Sequence, residues 1–117
     1  MVSGMTNSLL VQARWRTVQV RERIRSVSEG RPGGQLTLRH LDDSLELMGS
    51  AEACSGIFRH RERTRFVRKA LTTLQDVRSD LASVPDPADL AVRNGLQVAQ
   101  DSLMYATELM QCMLEGR

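Results

Sequence analysis

The sequence predicts an all-α protein, an antiparallel four-helix bundle, on three observations. First, apolar residues recur at alternating steps of three and four along several long stretches, which stacks them on one narrow helix face in a coiled-coil-like seam. Second, aromatic residues make up only 3% of the 117 residues, so the interior must be filled by Leu, Val, Ala, Ile and Met, residues that suit helices better than sheets. Third, two connectors rich in Gly and Pro, EGRPGGQ at 29–35 and SVPDPAD at 83–89, interrupt the pattern. The length and the 41% hydrophobic content suit one core, hence a single helical domain over residues 1–117. The helices are expected near 7–29, 37–54, 57–84 and 87–115. The alternative joins the second and third into one bent helix, leaving three long helices that would complete their core as a dimer.

The first helix is expected to be capped near Thr6 to Ser8 and to bury Leu10, Ala13, Thr17, Val20, Ile24 and Val27. A second line, Val11, Trp15 and Val18, widens the apolar face and is expected to touch a further neighbour. Arg14, Arg16, Arg21 and Arg23 flank the seam and suit pairing with acids on the next helix. Thr37 is expected to cap the second helix, with Leu38, Leu41, Leu45 and Met48 on its inner face and Asp42, Asp43 and Glu46 outside it. Its end falls at Gly49-Ser50 or at Ser55-Gly56.

The third helix carries the most distinctive stretch. Val67, Ala70, Leu74, Val77, Leu81 and Val84 form its seam, but extending that line backwards meets Arg63 and His60, so its first turns are expected to project past the core or to face water. Arg61, Arg65 and Arg68 fall at i, i+4 and i+7 as one cationic stripe, and either Phe58 or Phe66 is expected to anchor the core nearby. Pro85 stops this helix, and Asp86 as cap with Pro87 at the first helical position starts the fourth. There Leu96, Ala99, Leu103, Ala106, Met110 and Met113 form the seam, and small residues such as Gly95 permit close helix approach. Leu109, Met110, Cys112, Met113 and Leu114 make the final turns apolar nearly all round, so that they must be central in the fold or covered by another chain.

A formal net charge of +2 hides large opposed terms. Residues 14–31 sum to +4 and 59–69 to +5, against −3 over 36–54 and −5 over 76–115. Either basic helices lie beside acidic ones within the fold, or one basic face is left for an acidic partner. Fifteen of the sixteen bases are arginine, with Lys69 the exception, a bias compatible with bidentate contacts to carboxylate or phosphate.

Catalytic and metal chemistry finds little footing. Cys54 and Cys112 are far apart and in no ligand spacing, so each is expected to serve as a small buried apolar residue. His40 on a helix invites comparison with a phosphotransfer histidine, but Asp43 and Ser44 stand where a lysine and a glycine would contact the phosphoryl group. There is no Glu-x-x-His pair, GxSxG, HExxH or phosphate-binding glycine loop, so neither enzyme activity, a cofactor nor a metal is expected. The chain shows no secretory signal and no apolar run of membrane-spanning length, which points to a cytoplasmic location.

The function expected is therefore that of a non-catalytic protein-interaction module: a small adaptor, regulator or chaperone-like bundle. Its partner would be an amphipathic or acidic helix of another protein, with a homodimer as a further possibility. The binding residues expected are Arg61, Arg65 and Arg68 together with the apolar Leu109, Met110, Met113 and Leu114. The alternative is a nucleic-acid-binding regulator using Arg59, Arg61, Arg63, Arg65, Arg68 and Lys69, a basic run without a helix-turn-helix signature.

Overall fold

In the computed structural model, residues 2–28, 34–54, 59–82 and 89–115 are described, and they form four helices: α1 (Val2–Ser28), α2 (Gly34–Ala53), α3 (His60–Ala82) and α4 (Leu90–Leu114). Ion pairs between Arg14 and Glu52 and between Arg21 and Asp42 set α1 antiparallel to α2. Contacts of Arg63 with Cys54 and of His40 with Asp80 do the same for α2 and α3. Arg16 against Tyr105 and Val27 beside Gly95 make α1 and α4 antiparallel as well, so α3 and α4 must be antiparallel too. The bundle is a ring: α1 packs most closely on α4 and α2 on α3, the pairs α1–α2 and α3–α4 close it, and the backbones of diagonal helices do not come within 8 Å between Cα atoms among the described residues.

The heptad seams account for the core. Leu10, Ala13, Thr17, Val20 and Ile24 of α1 are buried, as are Val67, Ala70, Leu74, Val77 and Leu81 of α3 and Ala99, Leu103, Ala106 and Met110 of α4. Each fully buried leucine contributes about 2 kcal/mol of transfer free energy. The half-exposed Arg14–Glu52 pair, at 2.5 Å, contributes less than about 1 kcal/mol, so the seams hold the bundle and the ion pairs set its register. In α2 the buried line is Thr37, Leu41, Ser44, Met48 and Ala51, whereas Leu38 and Leu45 are only half-buried. The inner face is thus turned from the expected one, because Thr37 and Ser44 are small enough to sit at the centre and their polarity hid them.

Several boundaries differ from expectation. The first helix already begins at Val2. Thr37 lies inside α2 and does not cap it, and the helix runs through Gly49 to Ala53, where the N–H of Cys54 donates to the carbonyl of Ala51 at 3.2 Å. Since α2 ends there and α3 starts at His60, the merged three-helix alternative does not hold, and the core closes within one chain. Asp89 caps α4, its Oδ1 accepting from the N–H of Ala91 at 2.9 Å. Asp86, Pro87, Pro85, Val84, Phe58, the Ser55-Gly56 end point and residues 29–33 lie outside the described residues, and Phe66 packs half-buried against the core.

Two expected apolar surfaces meet different fates. Val11, Trp15 and Val18, expected to meet a further neighbour, are instead 54%, 58% and 39% exposed. Conversely, Met110 is fully buried, and Leu109, Met113 and Leu114 pack against the core from partly buried positions. The apolar end of α4 is thus used by the protein's own interior. Of the two cysteines, Cys54 is buried as expected but Cys112 is exposed. No helix among the described residues is long and apolar enough to cross a membrane.

Candidate functional site

The basic run enters α3 at its first turn, and the helix divides it by geometry. Arg63 falls on the buried line, only 6% exposed, and its Nε and Nη2 donate to the carbonyl oxygen of Cys54 at 3.0 and 2.6 Å. Neither of the two fates expected of this position is realised: the polar step in the seam is a buried guanidinium that closes the carboxyl end of α2. The negative end of the α2 dipole favours a cation there. Arg63 is consequently withdrawn from any nucleic-acid surface.

Arg59, Arg61, Arg65, Arg68 and Lys69 remain exposed, and none has a carboxylate within ion-pairing distance among the described residues. The contrast with α1 is informative, since Arg14 and Arg21 do pair with Glu52 and Asp42 of α2. The first reading of the alternating charge thus holds between α1 and α2. Two arginines of α1 pair with acids of α2, and α3 keeps a cationic face without carboxylate partners among the described residues.

That face is costly to its own helix. Arg61 and Arg65, then Arg65 and Lys69, are like charges at i, i+4, each worth roughly 0.2–0.5 kcal/mol against the helix. Arg61 also stands in the first turn, where the dipole disfavours a cation, and Glu62 is the only acid of that turn. No carboxylate among the described residues closes an ion pair with these cations.

Beside it runs an open groove of about 1200 Å³ between α2 and α3. Arg61, Arg65, Arg68, Lys69 and His60 line it from α3, with Asp43, Glu46, Leu47 and Ser50 from α2. Phe66 and Leu47, both half-buried against the core, give it apolar surface. Thr64, Thr72 and Thr73 also line it; each hydroxyl donates to the carbonyl four residues back, at 2.9, 3.1 and 2.9 Å. Their methyl groups and remaining acceptor lone pairs thus stay available.

The α2 contribution was missed in the sequence, although Asp43, Leu47 and Ser50 at i, i+4 and i+7 share a face that could have been read as a second stripe. Leu109, Met110, Met113 and Leu114 do not join this site, being part of or packed on the core. His40 is also elsewhere: its Nδ1, screened from solvent, lies 3.4 Å from Oδ2 of Asp80 at the α2–α3 seam. Chemically, the groove offers guanidinium donors for carboxylates, a small apolar surface, and two acids opposite.

Comparison with known proteins returns no family model, no curated protein and no solved structure that matches this chain.

Proposed function

We propose that the protein is a non-catalytic interaction module, a cytoplasmic adaptor or regulator, that binds an acidic amphipathic helix of another protein in the α2–α3 groove. The observation that carries this reading is the set of exposed cations on α3, repelling one another at i, i+4, with Arg61 against the helix dipole, and left without carboxylate partners among the described residues. Locally unfavourable choices of this kind concentrate where function requires them. A partner helix with carboxylates one turn apart would meet Arg61, Arg65 and Arg68, and its apolar residues would cover Leu47 and Phe66.

A protein partner is favoured over nucleic acid for two reasons. Leu47 and Phe66 give the groove apolar surface, which the apolar side of an amphipathic helix covers and a phosphate backbone does not. The burial of Arg63 also breaks the continuity of the basic run.

The test is fluorescence anisotropy at physiological salt with two probes. One is a labelled synthetic helix carrying Glu at i, i+4 and i+7 with Leu on the adjoining face; the other is a mixed-sequence DNA or RNA oligonucleotide. The expected result is micromolar binding of the peptide, lost when Arg61, Arg65 and Arg68 are all changed to Glu, with no competition by the oligonucleotide. Tighter binding of the oligonucleotide, or peptide binding that survives the charge reversal, would overturn the proposal.

A further inference from the structure

The opposite layer of the bundle, formed by α1 and α4, presents a second surface. Val11, Trp15 and Val18, at i, i+4 and i+7, form an outward ridge of α1, with Trp15 58% exposed. On α4, Val98 and Tyr105, seven residues apart, are 43% and 45% exposed. Arg16 joins the two helices: its guanidinium carbon lies 4.6 Å from the centre of the Tyr105 ring and 5.8 Å from that of Trp15. This cation–π bridge orients the rings before any partner arrives. Trp, Tyr and Arg are the residues that most often dominate the energy of protein interfaces, and a tryptophan left this exposed in a closed bundle lacks a role within the fold.

The charges around the aromatic bridge indicate what covers it. Arg23 and Arg25 on α1 and Asp101 and Glu108 on α4 are exposed, and none of the four forms an ion pair among the described residues. An acidic partner would face Asp101 and Glu108, and a basic one would face the arginines. A second copy of the same chain, turned about a two-fold axis through the aromatic bridge, lays the α1 of each on the α4 of the other. In the register set by Arg16 on Tyr105 and Val27 beside Gly95, Arg23 of each copy then comes level with Asp101 of its mate, twice over, which is the self-complementarity that an isologous interface requires. We infer that the α1–α4 face, centred on Trp15 and Tyr105, is a homodimer interface. This dimer joins two complete cores, and it is independent of the α3 site on the other layer.

The test is sedimentation equilibrium of the full chain from low to high micromolar concentration, read alongside tryptophan emission. Trp15 is the only tryptophan, so the emission reports this surface alone. The expected result is a monomer–dimer equilibrium with a blue shift as concentration rises, and a dimer weakened at least about tenfold by Trp15→Ala at unchanged helicity. Two charge variants isolate the self-complementarity, one with Arg23→Glu and Arg25→Glu and the other with Asp101→Arg and Glu108→Arg. Each alone should be monomeric, and an equimolar mixture should form a heterodimer. A chain that stays monomeric throughout with unshifted emission, or a dimer that both Trp15→Ala and the charge variants leave intact, would overturn the inference.

Discussion

The guanidinium of Arg63 donates two hydrogen bonds to the carbonyl oxygen of Cys54, through Nε at 3.0 Å and Nη2 at 2.6 Å, and so ties the start of α3 to the end of α2. Both residues are buried, at 6% and 4% exposure, so removing the donor leaves the carbonyl desolvated and unpaired. Arg63→Ala is expected to lower stability by about 2–3 kcal/mol in urea unfolding. Arg63→Lys should recover only part of this, because an ammonium cannot present the planar fork. A loss below about 0.5 kcal/mol for Arg63→Ala would show that the contact does not hold the corner.

The glycines of α2 and α4 should respond oppositely to alanine. A Cβ at Gly49 would meet nothing within 4 Å, so Gly49→Ala is expected to stabilise by about 0.5–1 kcal/mol through helix propensity alone. At Gly95 the same atom would lie 2.9 Å from Cγ1 of Val27, a stiff β-branched side chain. Gly95→Ala should therefore lower the thermal midpoint, and adding Val27→Ala should relieve part of the loss. Equal effects at both positions would contradict the close approach of α1 and α4.

Ser44 is fully buried and its Oγ has no hydrogen-bond partner among the described residues. Thr17, equally buried, donates to the carbonyl of Ala13 at 2.8 Å. Ser44→Ala is thus expected to stabilise by about 1 kcal/mol in chemical denaturation, by removing a desolvated hydroxyl. Thr17→Val, which also removes a hydroxyl but one already satisfied, should give a smaller gain or a loss.

Charge reversal on α3 should separate stability from binding. Arg61→Glu places an acid at the positive end of the α3 dipole and ends a repulsion with Arg65, so the variant is expected to be more stable by roughly 0.5 kcal/mol. The same change should weaken the acidic peptide severalfold. If Arg61→Glu lowers stability in a thermal melt, the cation has a partner within the fold and is not held in reserve for another molecule.

These contrasts mark what could be read from the sequence and what could not. The seams of α1, α3 and α4 were legible because heptad spacing of apolar residues fixes which face is buried whatever the neighbour. In α2 the line through Thr37 and Ser44 was hidden, since small polar residues at the centre leave no apolar signal. Periodicity could not show whether the second apolar ridge of α1 has a neighbour. Leu10 and Val20 face inward whereas Val11 and Trp15 face outward, a choice made by the positions of α2 and α4. Within the site, the stripe of Arg61, Arg65 and Arg68 followed from spacing alone. Its lack of acid partners, the facing wall of Asp43, Leu47 and Ser50, and the loss of Arg63 to the corner depend on how α2 and α3 dock. The apolar end of α4 had two readings in the sequence, and packing selected the internal one.

The most direct measurement of whether α3 is the binding face is an NMR titration that follows the arginine Nε–H resonances as the acidic helix is added. Arg61, Arg65 and Arg68 should shift together and saturate, while Arg63, held on Cys54, and Arg14, paired with Glu52, stay in place. Shifts confined to Arg14, Arg16 or Arg23, or no shift at saturating peptide, would contradict the assignment of the partner site to α3.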